Sequence, residues 1–138
     1  GNFDINDCST QRNLNDVGRE QARAWKPFLA DHGITDARVF SSQWCRCMDT
    51  ATGMDMGKVT EWPSLNSFFR NRGDGPAQTR QTIALVNELE DGAPVIMVSH
   101  QVNITGLTGI FPSSNEGAII ALPLSEDPTV LARVSPGR

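Results

Sequence analysis

The stretch Pro94-Val95-Ile96-Met97-Val98-Ser99-His100 decides how this chain folds. Val95 to Val98 run without a polar break, which predicts a strand buried on both faces, as in a parallel sheet covered by helices. Ser99 and His100 end the run at its carboxyl end, the side on which open α/β sheets bind their ligands.

The segments around this strand have the periodicity of helices. Upstream, residues 77–90 place Ile83, Val86 and Leu89 on one face, and Gly92 follows as a stop. Downstream, residues 103–108 predict the next helix. Further out, residues 37–40 predict a second strand, followed by Ser41 and Ser42. Residues 45–52 predict a helix closed by Gly53, and residues 59–62 a short strand ended by Pro63. Residues 64–76 are polar, with Gly73 and Gly75, and predict a loop. Near the start, Val17, Ala22, Trp25, Phe28 and Leu29 recur at helical spacing over residues 16–32, with Asn15 or Asp16 as the cap and Gly33 as the stop. Residues 1–14 lack periodicity and predict a loop. Residues 118–122 and 130–134 predict an antiparallel hairpin at a sheet edge, turned by Ser125, Asp127 and Pro128. Helices alternate with strands through the first four of each. That order predicts an α/β three-layer sandwich with a mostly parallel sheet, built as one domain over residues 1–138.

Composition narrows the function. The chain has 138 residues, a net charge of -4, and 38% hydrophobic and 20% charged residues, which is globular material rather than disorder. A mildly acidic chain with scattered Lys and Arg is a poor binder of nucleic-acid backbones. No apolar run approaches the length of a membrane span. Gly1 to Cys8 carries no basic stretch before an apolar core, so it is not itself a signal peptide. Three Cys are too few and odd in number for a disulfide framework. Cys45 and Cys47 read as buried small apolar residues, or one of them as a bridge partner of Cys8, which requires an oxidising compartment and so an exported rather than a cytoplasmic protein. Redox regulation through the three thiols is a further reading. Cys-x-Cys is not a zinc spacing, and two His, with His32 at a helix end, exclude a His-rich metal site. No metal or organic cofactor is expected.

Two strand ends carry the candidate chemistry. One is Val39-Phe40-Ser41-Ser42, followed by Arg46 near a helix start; the other is Val98-Ser99-His100. If the two strands are parallel neighbours, Arg46 and His100 share one crevice with two helix N-termini. That is a seat for a small dianion such as a phosphoryl group. Ser42, Gln101 and Arg12 are candidate phosphate ligands beside them. Taken singly, each has a structural alternative: a hydrogen-bonded core His, a solvated Arg, a helix-capping Gln101 or Asn103. Other phosphate chemistries are absent: no Cys is followed five residues later by Arg, and there is no Walker loop, nucleophile elbow or Rossmann fingerprint.

Three segments resemble those of the histidine phosphatase superfamily, also called phosphoglycerate-mutase-like. Leu14-Asn15-Asp16-Val17-Gly18-Arg19-Glu20-Gln21-Ala22 is similar to its L-T-x-x-G-x-x-Q-A helix start. Ser41-Ser42, Arg46 and Thr50-Ala51 match its S-S-x-x-x-R-x-x-x-T-A segment, and Val98-Ser99-His100 its V-S-H segment. They stand in family order and cover most of the chain to about Gly109. The resemblance implies a metal-free phosphatase acting on a small phosphorylated substrate through a phosphohistidine intermediate. Arg46 maps onto the second phosphate-binding Arg and His100 onto the second His. The family's R-H-G motif, which carries the nucleophilic His on the first strand, is absent from these residues and is expected upstream of Gly1. The 138 residues alone are therefore expected not to turn over. No carboxylate follows Leu65 in Asn66-Ser67-Phe68-Phe69, and Gln101 stands where one branch has Asp. Asp4, Asp7 and Asp74 remain as candidate proton donors, phosphoglycerate mutase activity is disfavoured, and a non-catalytic anion-binding or interaction module on the same fold is the alternative. The substrate and the oligomeric state are not written in the sequence.

Overall fold

A computed structural model describes residues 2–136. Helix α1 (Asp16–Ala30) starts where Asn15 Oδ1 accepts from the Gly18 amide at 2.9 Å, the N-cap expected of a short polar side chain. The chain then turns through Gly33, at φ 80°, into β1 (Arg38–Ser41). Helix α2 (Cys45–Met54) and β2 (Val59–Glu61) follow, and a polar segment with two 3-10 turns leads to α3 (Gly75–Asn87). Next come β3 (Val95–Val98), α4 (Gln101–Thr108), β4 (Gly117–Ile120) and β5 (Val130–Val134). The alternation is the expected one, and the architecture is α/β, with a parallel sheet flanked by helices.

The sheet order is β2-β1-β3, all parallel, with Val39 opposite Val59 on one side and Ile96 on the other. Parallel neighbours need crossover connections, which α2 supplies between β1 and β2. The face bearing Val39 buries Ala37, Ala51, Met54 and Met56, packed against Trp25, Leu29, Ile34 and Ile96. On the other face Phe40 stacks on Trp62 at 3.8 Å. Trp25 ties α1 to the turn before β4, its indole N–H donating to Asn115 Oδ1 at 2.8 Å.

Four expectations are corrected. Gly53 does not close α2; it lies inside the helix, where a Cβ would stand 3.1 Å from that of Ala22, and the stop is left-handed Asp55 at φ 52°. Val17, in the first turn of α1, is 62% exposed rather than part of the core face of the helix. The hairpin β4-β5 is not an edge of the main sheet but a separate two-stranded sheet. Consistent with that, Val95 to Val98 are each only half-buried. Among the described residues β3 pairs on one side alone, with β1, so its second edge lacks the neighbour that would complete its burial.

Gly57 is dictated by geometry. Its φ is +153°, and a Cβ there would lie 2.6 Å from the Ala37 carbonyl oxygen. Only glycine brings the chain back this closely to enter β2.

Candidate active site

Parallel pairing of β1 with β3 puts their carboxyl ends side by side, and Ser42 N donates to Val98 O at 2.9 Å just past the last paired residues. Arg46, the second residue of α2, and His100, the N-cap of α4, therefore meet: Arg46 Nη2 lies 3.1 Å from His100 Nδ1. Neither helix start has a side-chain cap from its own N-cap residue. The Cys45 amide is taken by Gln11 Oε1 at 2.9 Å.

The protonation of His100 follows from its partners. A guanidinium donates and never accepts, so Nδ1 must present its lone pair to Arg46. The proton of the neutral ring then sits on Nε2, which donates to Ser42 Oγ at 2.8 Å. Burial first, then the Arg46 charge, push the His100 pKa down from 6.5 to about 4, so the ring is neutral at pH 7. Trp44 frames the pair: its ring meets His100 edge-on at 4.8 Å and carries the Arg46 guanidinium 4.7 Å from its centroid. Cys47 Sγ is 3.6 Å from His100 Nε2. Burial pushes that thiol up to about 11, against the opposing pull of Arg46 and Ser42, so it is no thiolate nucleophile at neutral pH.

The other candidates fall in different places. Ser42 is fully buried and serves His100, while also accepting from the Trp44 amide at 3.1 Å. Gln101 opens α4, but its amide donates to Pro112 O at 3.3 Å. Asn103 is buried and donates to Asn66 O at 2.8 Å, with its Oδ1 unpartnered. Arg12 is exposed and makes no ion pair among the described residues; its neighbour Gln11 makes the contact to α2 instead. The Asp7 carboxylate is held below its usual range by the Ser9 hydroxyl and amide, so it is no proton donor at neutral pH. Asp4 Oδ1 accepts from the Asn6 amide, and Asp74 is exposed at the end of a 3-10 turn.

Cys8 and Cys45 form a disulfide, and Cys47 is the buried free thiol. The bridge joins the N-terminal loop to the residue before Arg46. Phe3 reinforces it, its ring 4.5 Å from that of Trp44.

Residues that the sequence reading passed over complete the site. Asn66 Oδ1 accepts from the Gln43 amide at 2.8 Å and from Ser42 Oγ at 3.1 Å, and Asn66 Nδ2 donates to Gln43 Oε1 at 2.9 Å. Asn66 stands in the segment that follows Leu65 and lacks a carboxylate, where an amide carries no sequence signal of its own. Among the described residues no three His, Cys, Asp or Glu side chains converge as a metal site would require.

A model of the histidine phosphatase superfamily (branch 1) matches residues 8–78, just over half of the chain, and the chain belongs to that family. Among solved structures it is similar to the protein histidine phosphatase SixA complexed with tungstate, at 23% identity and TM-score 0.66, covering 91% of this chain and 85% of that one. It is similar to the product of open reading frame Rv3214 from Mycobacterium tuberculosis, at 16% identity and TM-score 0.63, covering 91% and 86%. It also resembles the putative phosphohistidine phosphatase SixA from Agrobacterium tumefaciens, at 15% identity and TM-score 0.63, covering 99% and 88%. At these identities the likeness is one of fold. No curated protein matches the chain by sequence.

Proposed function

We propose that this chain is the body of a phosphatase that hydrolyses a phosphoric monoester or phosphohistidine through a phosphohistidine intermediate. The observation that carries the reading is the Arg46–His100 pair, held 3.1 Å apart at adjacent parallel strand ends. Phosphoryl transfer needs in-line positioning and stabilisation of charge on the equatorial oxygens more than covalent help from the protein. Arg46 offers a planar fork of donors to those oxygens, and His100 offers Nδ1–H once it is protonated. Two relatives in fold are described as histidine phosphatases, which makes phosphohistidine the first substrate to try.

The nucleophile belongs, in this reading, to an Arg-His-Gly-bearing strand N-terminal to residue 1, parallel to β3 and paired to its second edge. Two features support that place. Val95 to Val98 form an apolar strand only half-buried, and among the described residues β3 pairs on one side alone, with β1. The family's R-H-G strand carries its His towards the same carboxyl ends. The attacking imidazole displaces the leaving group from phosphorus, and water then cleaves the phosphorus–nitrogen bond, which divides one hard step into two easier ones.

The alternative, a non-catalytic oxyanion-binding module on this fold, is favoured by one observation. Asp7 is held ionised, and an amide, Asn66, occupies the segment where one family branch has its acid, so among the described residues no carboxyl group is seen bonded to Arg46 or His100. The test is turnover of an activated phosphoester and of phosphohistidine by the protein with its complete N-terminus, together with trapping of an acid-labile phosphoenzyme. Turnover abolished by Arg46→Ala supports the phosphatase. An intact Arg-His-Gly segment with sulfate binding and neither turnover nor phosphoenzyme establishes the module instead.

A further inference from the structure

We propose that Asn66 is a positioning residue that, acting through Ser42, holds His100 in the tautomer that its contact with Arg46 requires. The inference deepens the reading of Arg46 and His100 as an oxyanion-binding pair and rests on it.

A directional chain of hydrogen bonds links the two residues. At one end the Gln43 backbone amide donates to Asn66 Oδ1 at 2.8 Å. A backbone amide only donates, so the carbonyl and not the NH2 of Asn66 faces it. The same Oδ1 lies 3.1 Å from Ser42 Oγ, and a carbonyl oxygen only accepts, so the Ser42 hydroxyl spends its one proton there. Ser42 Oγ then has only lone pairs left for the Trp44 amide at 3.1 Å and His100 Nε2 at 2.8 Å, and no proton for the adjacent Cys47, which stays a thiol and needs none. His100 must therefore donate from Nε2, which leaves Nδ1 bare. At the far end Nδ1 meets Arg46 Nη2, another group that only donates. The two obligate donors, at opposite ends, force every bond between them to a single polarity.

The surroundings hold Asn66 in this orientation. Its Nδ2 donates to Gln43 Oε1 at 2.9 Å, and its backbone oxygen accepts from Gln78 Nε2 and Asn103 Nδ2, both at 2.8 Å. Ser42 is fully buried, so no solvent competes for its lone pairs. The consequence for the site is specific. With Nε2 already carrying a proton, His100 can present a donor to an oxyanion beside Arg46 only by gaining a second proton, at Nδ1. Asn66 touches no substrate in this scheme and acts only through what Ser42 is left to offer.

The test is 15N NMR of the two imidazoles, His32 and His100, in the ligand-free protein at pH 7. The wild type is expected to show His100 Nε2 at the protonated limit and Nδ1 at the unprotonated limit. Asn66→Ala frees the Ser42 hydroxyl to donate to Nε2 in competition with Arg46 Nη2 at Nδ1; in each molecule where Ser42 donates, the proton moves to Nδ1 and the Arg46 contact breaks, so the two His100 nitrogen shifts are expected to move towards each other. Asn66→Asp restores an acceptor for both Ser42 and Gln43 and should return the wild-type shifts; a merely structural role for Asn66 predicts no such tautomer rescue. If Asn66→Ala does not fold, Asn66→Leu keeps the branched shape of the side chain, lacks the acceptor and is expected to mix the tautomers likewise. Folded Asn66→Ala or Asn66→Leu protein with unchanged His100 shifts overturns the proposal. Because the measurement needs neither substrate nor turnover, its failure is separable from failure of the phosphatase reading.

Discussion

Sulfate binding at Arg46–His100 should take up one proton. In the free site His100 is neutral, because burial and Arg46 push its pKa down to about 4. Its Nδ1 lone pair faces the place a dianion would occupy and accepts from Arg46 Nη2. A sulfate seated there repels that lone pair and attracts a proton to it. Between the free-site value and the higher value of the complex, each pH unit lost raises affinity about tenfold, or about 1.4 kcal/mol. Where the complex keeps the proton at pH 7, the gain from pH 7 to pH 5 is about 100-fold. Sulfate stays a dianion over this range, so the ligand contributes nothing to the slope. Cys47, the other titratable side chain against the ring, stays a neutral thiol because its pKa is pushed up to about 11. Isothermal titration calorimetry at pH 5, 6 and 7, in buffers of different ionisation heat, measures affinity and proton uptake together. A flat affinity with no proton uptake would refute the reasoning, as would an undiminished slope in His100→Gln.

Four further outcomes follow from the same contacts. Arg46→Ala should weaken sulfate or vanadate binding by about 1.5–3 kcal/mol, the scale of a charge-assisted hydrogen bond, and an unchanged Kd removes Arg46 from the site. Because unfolded His100 titrates near 6.5 and the folded ring at about 4, the unfolded state binds the extra proton between these values. Stability is then fully present above 6.5 and falls by about 3 kcal/mol as the pH drops to the folded value, a loss that urea midpoints should show in the wild type and not in His100→Gln. Reducing the Cys8–Cys45 bridge, which spans a sequence separation of 37, should cost about 4 kcal/mol on the chain-entropy account. Denaturation midpoints that coincide with and without a dithiol reductant would contradict it. Gly57→Ala should destabilise by about 3 kcal/mol, since the Cβ would meet the Ala37 carbonyl from a φ that L residues avoid, and thermal melting reads the shift.

Elements that announce themselves by local pattern were legible in the sequence. The apolar run at Val95 to Val98 gave a strand, the polar residue Asn15 gave a cap, and the alternation gave a parallel sheet. What failed depended on neighbours. Gly53 carries a stop signal, yet helix packing against Ala22 claims it for the interior of α2. The same run at Val95 to Val98 implies burial on both faces, but burial is decided by what pairs beside a strand, and no periodicity within four residues reports that. That Arg46 and His100 meet was readable because each follows a strand end, and parallel neighbours bring those ends together. Gln11, Gln43 and Asn66 were not, because an amide side chain takes its meaning only from the donor or acceptor set opposite it. Arg12 shows the converse, a residue type suited to anions whose loop leaves it exposed while Gln11 turns inward.

The N-terminal loop and the neutral histidine bear on one question, how a buried cationic site stays ready for an anion. Arg46 alone brings a full positive charge to a half-buried strand end. A protonated His100 beside it would add a second, and burial of the ring first, then that repulsion, drives the imidazole pKa down. The arrangement meets the cost by keeping the ring neutral and giving its lone pair to the guanidinium, which orients Arg46 without a carboxylate that would compete with substrate. The disulfide, the Gln11–Cys45 bond and the Phe3–Trp44 contact then hold the start of α2, and the Trp44 ring beneath the guanidinium, to one loop. Preorganisation of this kind lowers the entropy of ordering a long Arg side chain on binding. On the proposed reading, the second positive charge on His100 would be present only while a dianion is there to neutralise it.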